Sequence, residues 1–373
     1  MSVNKQRLVD EFIQLVSVDS PSLGERRMGD YLTQQLISLG FSVREDDTGN
    51  QIGGNCGNIY GFLDGEHTLN PIVFCAHMDT VEPSSNKQAL LGEDGTIRSN
   101  GDTVLGADDC AGIAAILEAA RVLREQQLPH RPIEVLLTVA EEIYCKGAEL
   151  FDFSLLRSKE AYILDLTGPV GTVAYQAPTI LSFDVTVRGK SSHAGFAPDK
   201  GVHAIKAAAE AIASLPIGRI SEITTLNVGE IQGGRATNIV PELCVVSGEI
   251  RSYSHEQALL TAQTVKEQFE GAAKEHGAHA EFITKTCCHA YTTPLDHPVV
   301  RRYEETCKAM GLTCRLEPTF GGSDNNVFAA HGITGIVLAC AMHQCHSCEE
   351  FTTVDELVMI AELTKNLMTS EVL

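Results

Sequence analysis

His77 and Asp79 stand two residues apart at the end of an apolar run, "PIVFCAH". Strand residues i and i+2 share a face, so an imidazole and a carboxylate can be directed to one place. Other segments end in the same style. "PIEVLLTVA" runs into Glu141 and Glu142, "EAYIL" into Asp165, and "GITGIVLACA" into His343 and His346. "VLGADDC" brings Asp108 and Asp109 to the start of a helix. Taken singly, each has an ordinary reading as a solvated loop, a turn or an N-cap. Their coincidence is not explained that way, because imidazole nitrogen and carboxylate oxygen are ligands of zinc. There are enough for two ions, which a bridging carboxylate would hold about 3.5–4 Å apart. One Glu of the doublet could then ligate while the other takes a proton from the attacking water.

The elements that must position these groups alternate between buried strands and helices. "PIVFCAH", "PIEVLLTVAEE" and "EAYILDL" read as strands, and "DDCAGIAAILEAARVLREQ" as a long helix, the pattern of an α/β unit with a largely parallel sheet. In open α/β sheets ligands bind beyond the carboxyl ends of the strands, where every one of these residues falls. After about residue 176 the style changes to alternating apolar and polar strands, "PTILSFDVTVRGK" among them, with two helices, "GVHAIKAAAEAIASLP" and "HEQALLTAQTVKEQFEGAAKEHG". From about residue 290 the first style returns. The expectation is an α/β catalytic domain of residues 1–176 and 290–373, with a mainly parallel mixed sheet flanked by helices. An α+β lid or dimerisation domain, a four-stranded antiparallel sheet with two helices, is expected as an insertion at residues 177–289.

With 373 residues, two domains are the default. A formal charge of −21 repels phosphate backbones and anionic lipid, so nucleic-acid and membrane partners are not expected. The N-terminal stretch reads as an amphipathic helix carrying Leu8, Phe12, Leu15 and Val16, not as a signal peptide. The 12 cysteines then read as reduced thiols and the expected compartment is the cytoplasm.

The motifs "HMDT", "GADDCAG", "AEE", "ILDLTGPVG", "GKSSHAG", "GGRATNIVP", "GGSDNNVF" and "CHSCEE" follow in an order and spacing that resembles the peptidase T-like branch of the aminoacylase/carboxypeptidase family of dizinc metallopeptidases. The resemblance runs from about residue 5 to the C-terminus. It implies two divalent ions per chain, zinc by expectation, with cobalt or manganese as alternatives. By the same resemblance His77 and Asp165 hold one ion, Glu142 and His346 the other, and Asp108 bridges them. Asp79 is expected to orient the His77 ring, and Glu141 to be the general base. The resemblance also implies a cis bond between Asp108 and Asp109. His193 is expected to approach the developing oxyanion, from the neighbouring subunit in dimeric relatives. Asn238, Arg251, Gly322 and Ser323 match substrate-binding positions.

The implied function is exopeptidase action on short peptides, of the aminotripeptidase type, by a homodimer formed through the insertion. The alternatives are an aminoacylase, dipeptidase or carboxypeptidase-like amidohydrolase of the same family, and a non-catalytic metal- or peptide-binding protein. The last is disfavoured because no ligand or base position has lost its chemistry. Two departures stand out: Cys110 occupies a position where the family has Lys, and Cys345 and Cys348 flank His346 with C-x-x-C spacing. Without a second such pair, that spacing is a weak sign of a zinc ribbon.

Overall fold

A computed structural model describes residues 2–370 of the chain. It divides into two compact units. The first takes in the chain as far as Gln176, then Thr292–Thr319, and again from Ser323. The second comprises Ala177–Tyr291 with Phe320–Gly322.

The first unit is built on a nine-stranded mixed sheet. Its middle runs in the order Ile59–Leu63, Ile133–Thr138, Ile72–His77, Glu160–Thr167, Thr334–Met342. The last four of these are parallel to one another, with His77 beside Thr138 and Cys75 beside Ile163 in register. Parallel pairing aligns their carboxyl ends on one edge, which brings His77, the Glu141–Glu142 doublet, Asp165 and His343 to a common rim. The strands Ile72–His77 and Ile133–Thr138 are buried along their whole length, because both faces of the sheet are covered. Alternation divides the first of them. Ile72, Phe74 and Ala76 join a core with Leu8, Phe12, Ile116, Leu117, Ile360 and Leu363 from the helices. Val73 and Cys75 join another with Phe151, Leu156 and Phe328.

The helix Ala107–Gln126 is buried nearly all round as far as Leu123, as its Ala-rich sequence requires. Asp108 and Asp109 stand at its start with non-helical backbone angles, and the bond between them is cis, as the resemblance implied.

The second unit is a five-stranded antiparallel sheet ordered Gly218–Ser221, Thr224–Gly233, Leu243–Ser252, Thr179–Arg188, His279–Cys288. The helices Ala204–Ser214 and His255–Glu275 complete it. Leu181, Phe183, Val185 and Val187, spaced by two, meet Ala204, Ala207, Ala208 and Ala211, spaced for one helical face. Four strands were expected here. The fifth, Gly218–Ser221, is a largely exposed edge strand of only four residues, too short to show any apolar alternation. Among the described residues, no helix is long and apolar enough to cross a membrane.

Candidate metal centre

The centre is best built outward from Asp108. Its Oδ1 lies 3.0 Å from His77 Nε2, and its Oδ2 lies 3.4 Å from His346 Nε2. One carboxylate thus faces two imidazoles through different oxygens. His77 Nε2 is also 3.9 Å from Asp165, and His346 Nε2 is 3.0 Å from Glu142. The five residues that the sequence nominated as ligands therefore converge. Donor atoms of His77, Asp108 and Glu142 come within 4.8 Å of one another, as do those of His77, Glu141 and Asp165.

Around them lies a set of backbone clamps. Asp79 does less for the His77 ring by its carboxylate than by its carbonyl: Nδ1 sits 2.9 Å from the Asp79 backbone oxygen and 3.5 Å from Oδ1. The carboxylate instead accepts the amides of Glu141 (2.9 Å) and Glu142 (3.2 Å), and the Ser22 hydroxyl at 2.6 Å. Asp79 thereby fixes the acidic doublet as well as the ring. Asp109 accepts the amides of His77 (3.1 Å) and Gly112 (3.2 Å). Glu350 accepts those of Gly106 (2.7 Å) and Asp108 (3.0 Å), and Glu25 accepts that of Ala140 at 3.0 Å. Ser22, Glu25 and Glu350 were not identified as site residues from sequence, and Asp109 was noted there only as the neighbour of Asp108 at the helix start. All four act on main-chain groups or on Asp79, which leave no pattern of residue types. Such supporting partners fix ligand geometry.

The doublet sits in a tight loop. Cys145 N–H returns to the Glu141 carbonyl at 2.7 Å, and Ala140, Tyr144 and Cys145 all have positive φ. Left-handed backbone at non-glycine residues is uncommon and clusters at functional sites.

The charges explain what this cavity is suited to hold. Burial pushes the Glu141 and Asp165 carboxyls well above the usual carboxylate range, with neighbouring acids adding to the effect. Burial also works against the Asp108 charge, yet hydrogen bonds from His346 and His77 hold its carboxyl well below that range. His346 is pushed up to about 10, first by Asp108 and then by Glu142. His77 is raised despite its burial, through Asp108 and Asp79. Asp79, Asp108, Asp109, Glu141, Glu142 and Asp165 outnumber the two imidazoles, so the cavity favours added positive charge. Nitrogen and oxygen donors at these separations fit a pair of borderline divalent cations.

The second unit carries the other nominated residues. His193 Nδ1 accepts the amides of Gly195 (3.1 Å) and Phe196 (3.2 Å), which leaves the ring proton on Nε2 as a donor. The Asn238 carbonyl accepts the Ala194 amide at 3.0 Å, so Asn238 braces the His193 loop by its backbone. Arg251 grips Glu249 through Nε (2.7 Å) and Nη2 (3.1 Å), while Nη1 donates to the Phe320 carbonyl at 2.8 Å. Gly322 closes the short Phe320–Gly322 segment of this unit. Ser323, in the first unit, is the N-cap of the helix Asp324–Ala330 and forms a capping box with Asn326.

A family model described as a peptidase dimerisation domain, of the M20 type, matches residues 175–281. A second, described as peptidase family M28, matches residues 58–172. The protein YqjE of Bacillus subtilis (strain 168) is 37% identical over 361 residues, covering 97% of each chain. Among solved structures, the aminopeptidase PepT from Bacillus cereus ATCC 10987 is 39% identical over 98% of both chains, with a TM-score of 0.90. A tripeptidase from Staphylococcus aureus is 32% identical over 99% of both, with a TM-score of 0.96. Fold and centre together define a dizinc metallopeptidase. Within that class the chain belongs to the M20 family, in its peptidase T-like branch.

Proposed function

We propose that this protein is an aminotripeptidase, a metal-dependent exopeptidase that releases the N-terminal residue of short peptides. The observation that carries the reading is the Asp108 carboxylate, which meets His77 through one oxygen and His346 through the other. The similarity to the Bacillus cereus aminopeptidase and to the Staphylococcus aureus tripeptidase supports the substrate class.

In this reading His77 and Asp165 would hold one ion and Glu142 and His346 the other, with the Asp108 carboxylate available to both. Zinc fits these donors, and cobalt or manganese would fit as well. When bound, the two ions would lower the pKa of a shared water and polarise the scissile carbonyl. Glu141, held by Asp79 through its amide, takes the proton from the attacking water and returns it to the departing amine. His193 offers its Nε2 proton to the oxygen that gains charge. Asn238, Gly322 and Ser323 line the substrate, and Arg251 binds a substrate carboxylate by exchanging it for Glu249. Residues 177–289 form a lid and dimerisation domain. Leu259, Leu260 and Ile283, exposed on its long helix and edge strand, supply apolar surface for a homodimer. The free thiols support a cytoplasmic location.

The test is metal content of the purified protein, paired with hydrolysis of tripeptides, dipeptides and N-acylated amino acids before and after chelation. About two ions per chain, tripeptide cleavage lost on chelation and restored by zinc, cobalt or manganese, is the expected result. Cleavage confined to N-acylated amino acids would sink the peptidase reading.

A further inference from the structure

Beside the candidate paired-ion centre, on the first unit, lies a second group of donors, of which the reaction above uses only Glu141. The Cys145 thiol donates to Glu141 Oε1 at 3.3 Å. The Asp324 carboxylate joins them, with one donor atom from each of the three residues inside 4.8 Å of the others. Asp324 comes from the first turn of the helix Asp324–Ala330 and is 2% exposed. Its Oδ2 accepts the Thr138 hydroxyl at 2.5 Å and the Cys75 thiol at 3.7 Å. Its Oδ1 is buried and finds no hydrogen-bond partner among the described residues. A buried carboxylate oxygen left without a donor costs on the order of 1–3 kcal/mol, so a position like this calls for a cation or a proton.

We propose that Glu141, Cys145 and Asp324 form a third cation site, for a thiophilic divalent ion, and that filling it stops hydrolysis. The inference rests on the reading of Glu141 as the base. Ligands of a tetrahedral ion bound at about 2.0–2.3 Å stand about 3.5 Å apart, close to the separation that Cys145 and Glu141 already have. One sulfur and two carboxylates favour Zn²⁺ or Cd²⁺ over Mn²⁺ or Mg²⁺. On binding, the S–H bond of Cys145 breaks, its proton passes to solvent, and a metal–sulfur bond forms. The Glu141 carboxylate becomes a ligand, and its lone pairs are no longer available to the attacking water. Glu141, more exposed than the other two, gives the ion its way in. The enzyme would therefore be active with two ions and silent with three.

The test uses full-length protein loaded with Mn²⁺, titrated with Cd²⁺ or excess Zn²⁺. Hydrolysis, metal stoichiometry and the ultraviolet thiolate–cadmium band are followed together. Wild type is expected to take one additional ion with the thiolate band, and to lose activity roughly tenfold at a tenfold excess over its Kd. Cys145→Ser should lack the band and need far more metal for the same fractional inhibition, measured against its own starting activity. Asp324→Asn should weaken inhibition in the same direction. Equal inhibition of wild type and Cys145→Ser, or no additional ion in wild type, overturns the proposal. Glu141→Gln, assayed with two ions and no excess, tests the base by itself. If that variant still hydrolyses peptides, the reading of Glu141 fails whatever the third ion does. If it is inactive and wild type takes no third ion, the base stands and the inhibitory site falls.

Discussion

Glu350 holds Asp108 by the main chain: the Asp108 amide donates to Glu350 Oε1 at 3.0 Å while the Gly106 amide donates to Oε2 at 2.7 Å. Both oxygens are thus spent on the turn that presents the carboxylate shared by the two histidines. Glu350→Ala should weaken metal binding roughly 10–100-fold, the usual effect of losing a partner behind a ligand. Glu350→Gln, which keeps one acceptor, should lose less. Competition against a calibrated chelator reads both, with circular dichroism confirming that the fold persists.

Glu141→Gln separates ligation from proton transfer. It should retain both ions and lose hydrolysis by roughly 10²–10⁴-fold. Metal analysis and single-turnover kinetics check the two halves. Loss of an ion in this variant would move Glu141 from base to ligand, a placement its proximity to His77 and Asp165 permits.

His193→Ala should cost roughly 10²–10³-fold in kcat with a small change in KM, as expected for a donor that acts on the developing oxyanion. The tautomer makes this sharp. Because Nδ1 is taken up by the Gly195 and Phe196 amides, the ring offers one outward proton, from Nε2. His193→Gln should recover part of the rate; if KM alone rises, His193 is a binding residue.

A methyl group at Gly112 has no room. A Cβ there would come within 2.3 Å of Asp109 Oδ1 and 2.7 Å of the Leu164 carbonyl. Since Asp109 also holds the His77 amide, the strain passes to the metal centre. Gly112→Ala should destabilise by about 1–3 kcal/mol and weaken metal binding. Thermal unfolding with and without metal measures both.

Burial raises the Glu25 carboxyl to about 7, and the Asp79 charge adds to this. The folded protein thus holds this proton where the unfolded chain, with an ordinary carboxyl, has released it. Glu25 is most favourable to folding below about pH 4.5; its contribution falls as pH rises and is lost by the time pH passes its folded value. Glu25→Gln keeps the oxygen that accepts the Leu23 and Ala140 amides. Relative to wild type, the variant should gain on the order of 1–3 kcal/mol between pH 5 and pH 8. Melting temperatures of both proteins at the two pH values decide the matter, and a difference independent of pH would refute it.

The candidate ligands could be nominated because parallel strands end together, and a short apolar run followed by His, Asp or Glu is a signal that survives in one dimension. His77, Asp165 and the Glu141–Glu142 doublet belong to that kind. The strand-end pattern offered His343 and His346 together, and the resemblance singled out His346, which lies in a loop beyond its strand. Ser22, Glu25 and Glu350 escaped notice because a side chain bonded to a distant amide looks like any polar residue. The order of strands, with Ile133–Thr138 outside Ile72–His77, depends on crossovers that local pattern does not encode. Cys145 and Asp324 fall between these cases: Asp324 lay in the "GGSDNNVF" motif, whereas Cys145 lies beyond the end of "AEE", and only the turn at positive φ brings its thiol back to Glu141.

The two histidines differ in one respect that bears on assembly. The His77 side chain is 1% exposed, whereas that of His346 is 55% exposed. An ion held at His77 would lie against a buried imidazole, whereas one held at His346 would lie against a half-exposed one. The pair would then load in sequence and exchange on separate clocks. Isotopically labelled metal would wash out of the outer position first, leaving a singly charged-in enzyme with its inner ion still in place.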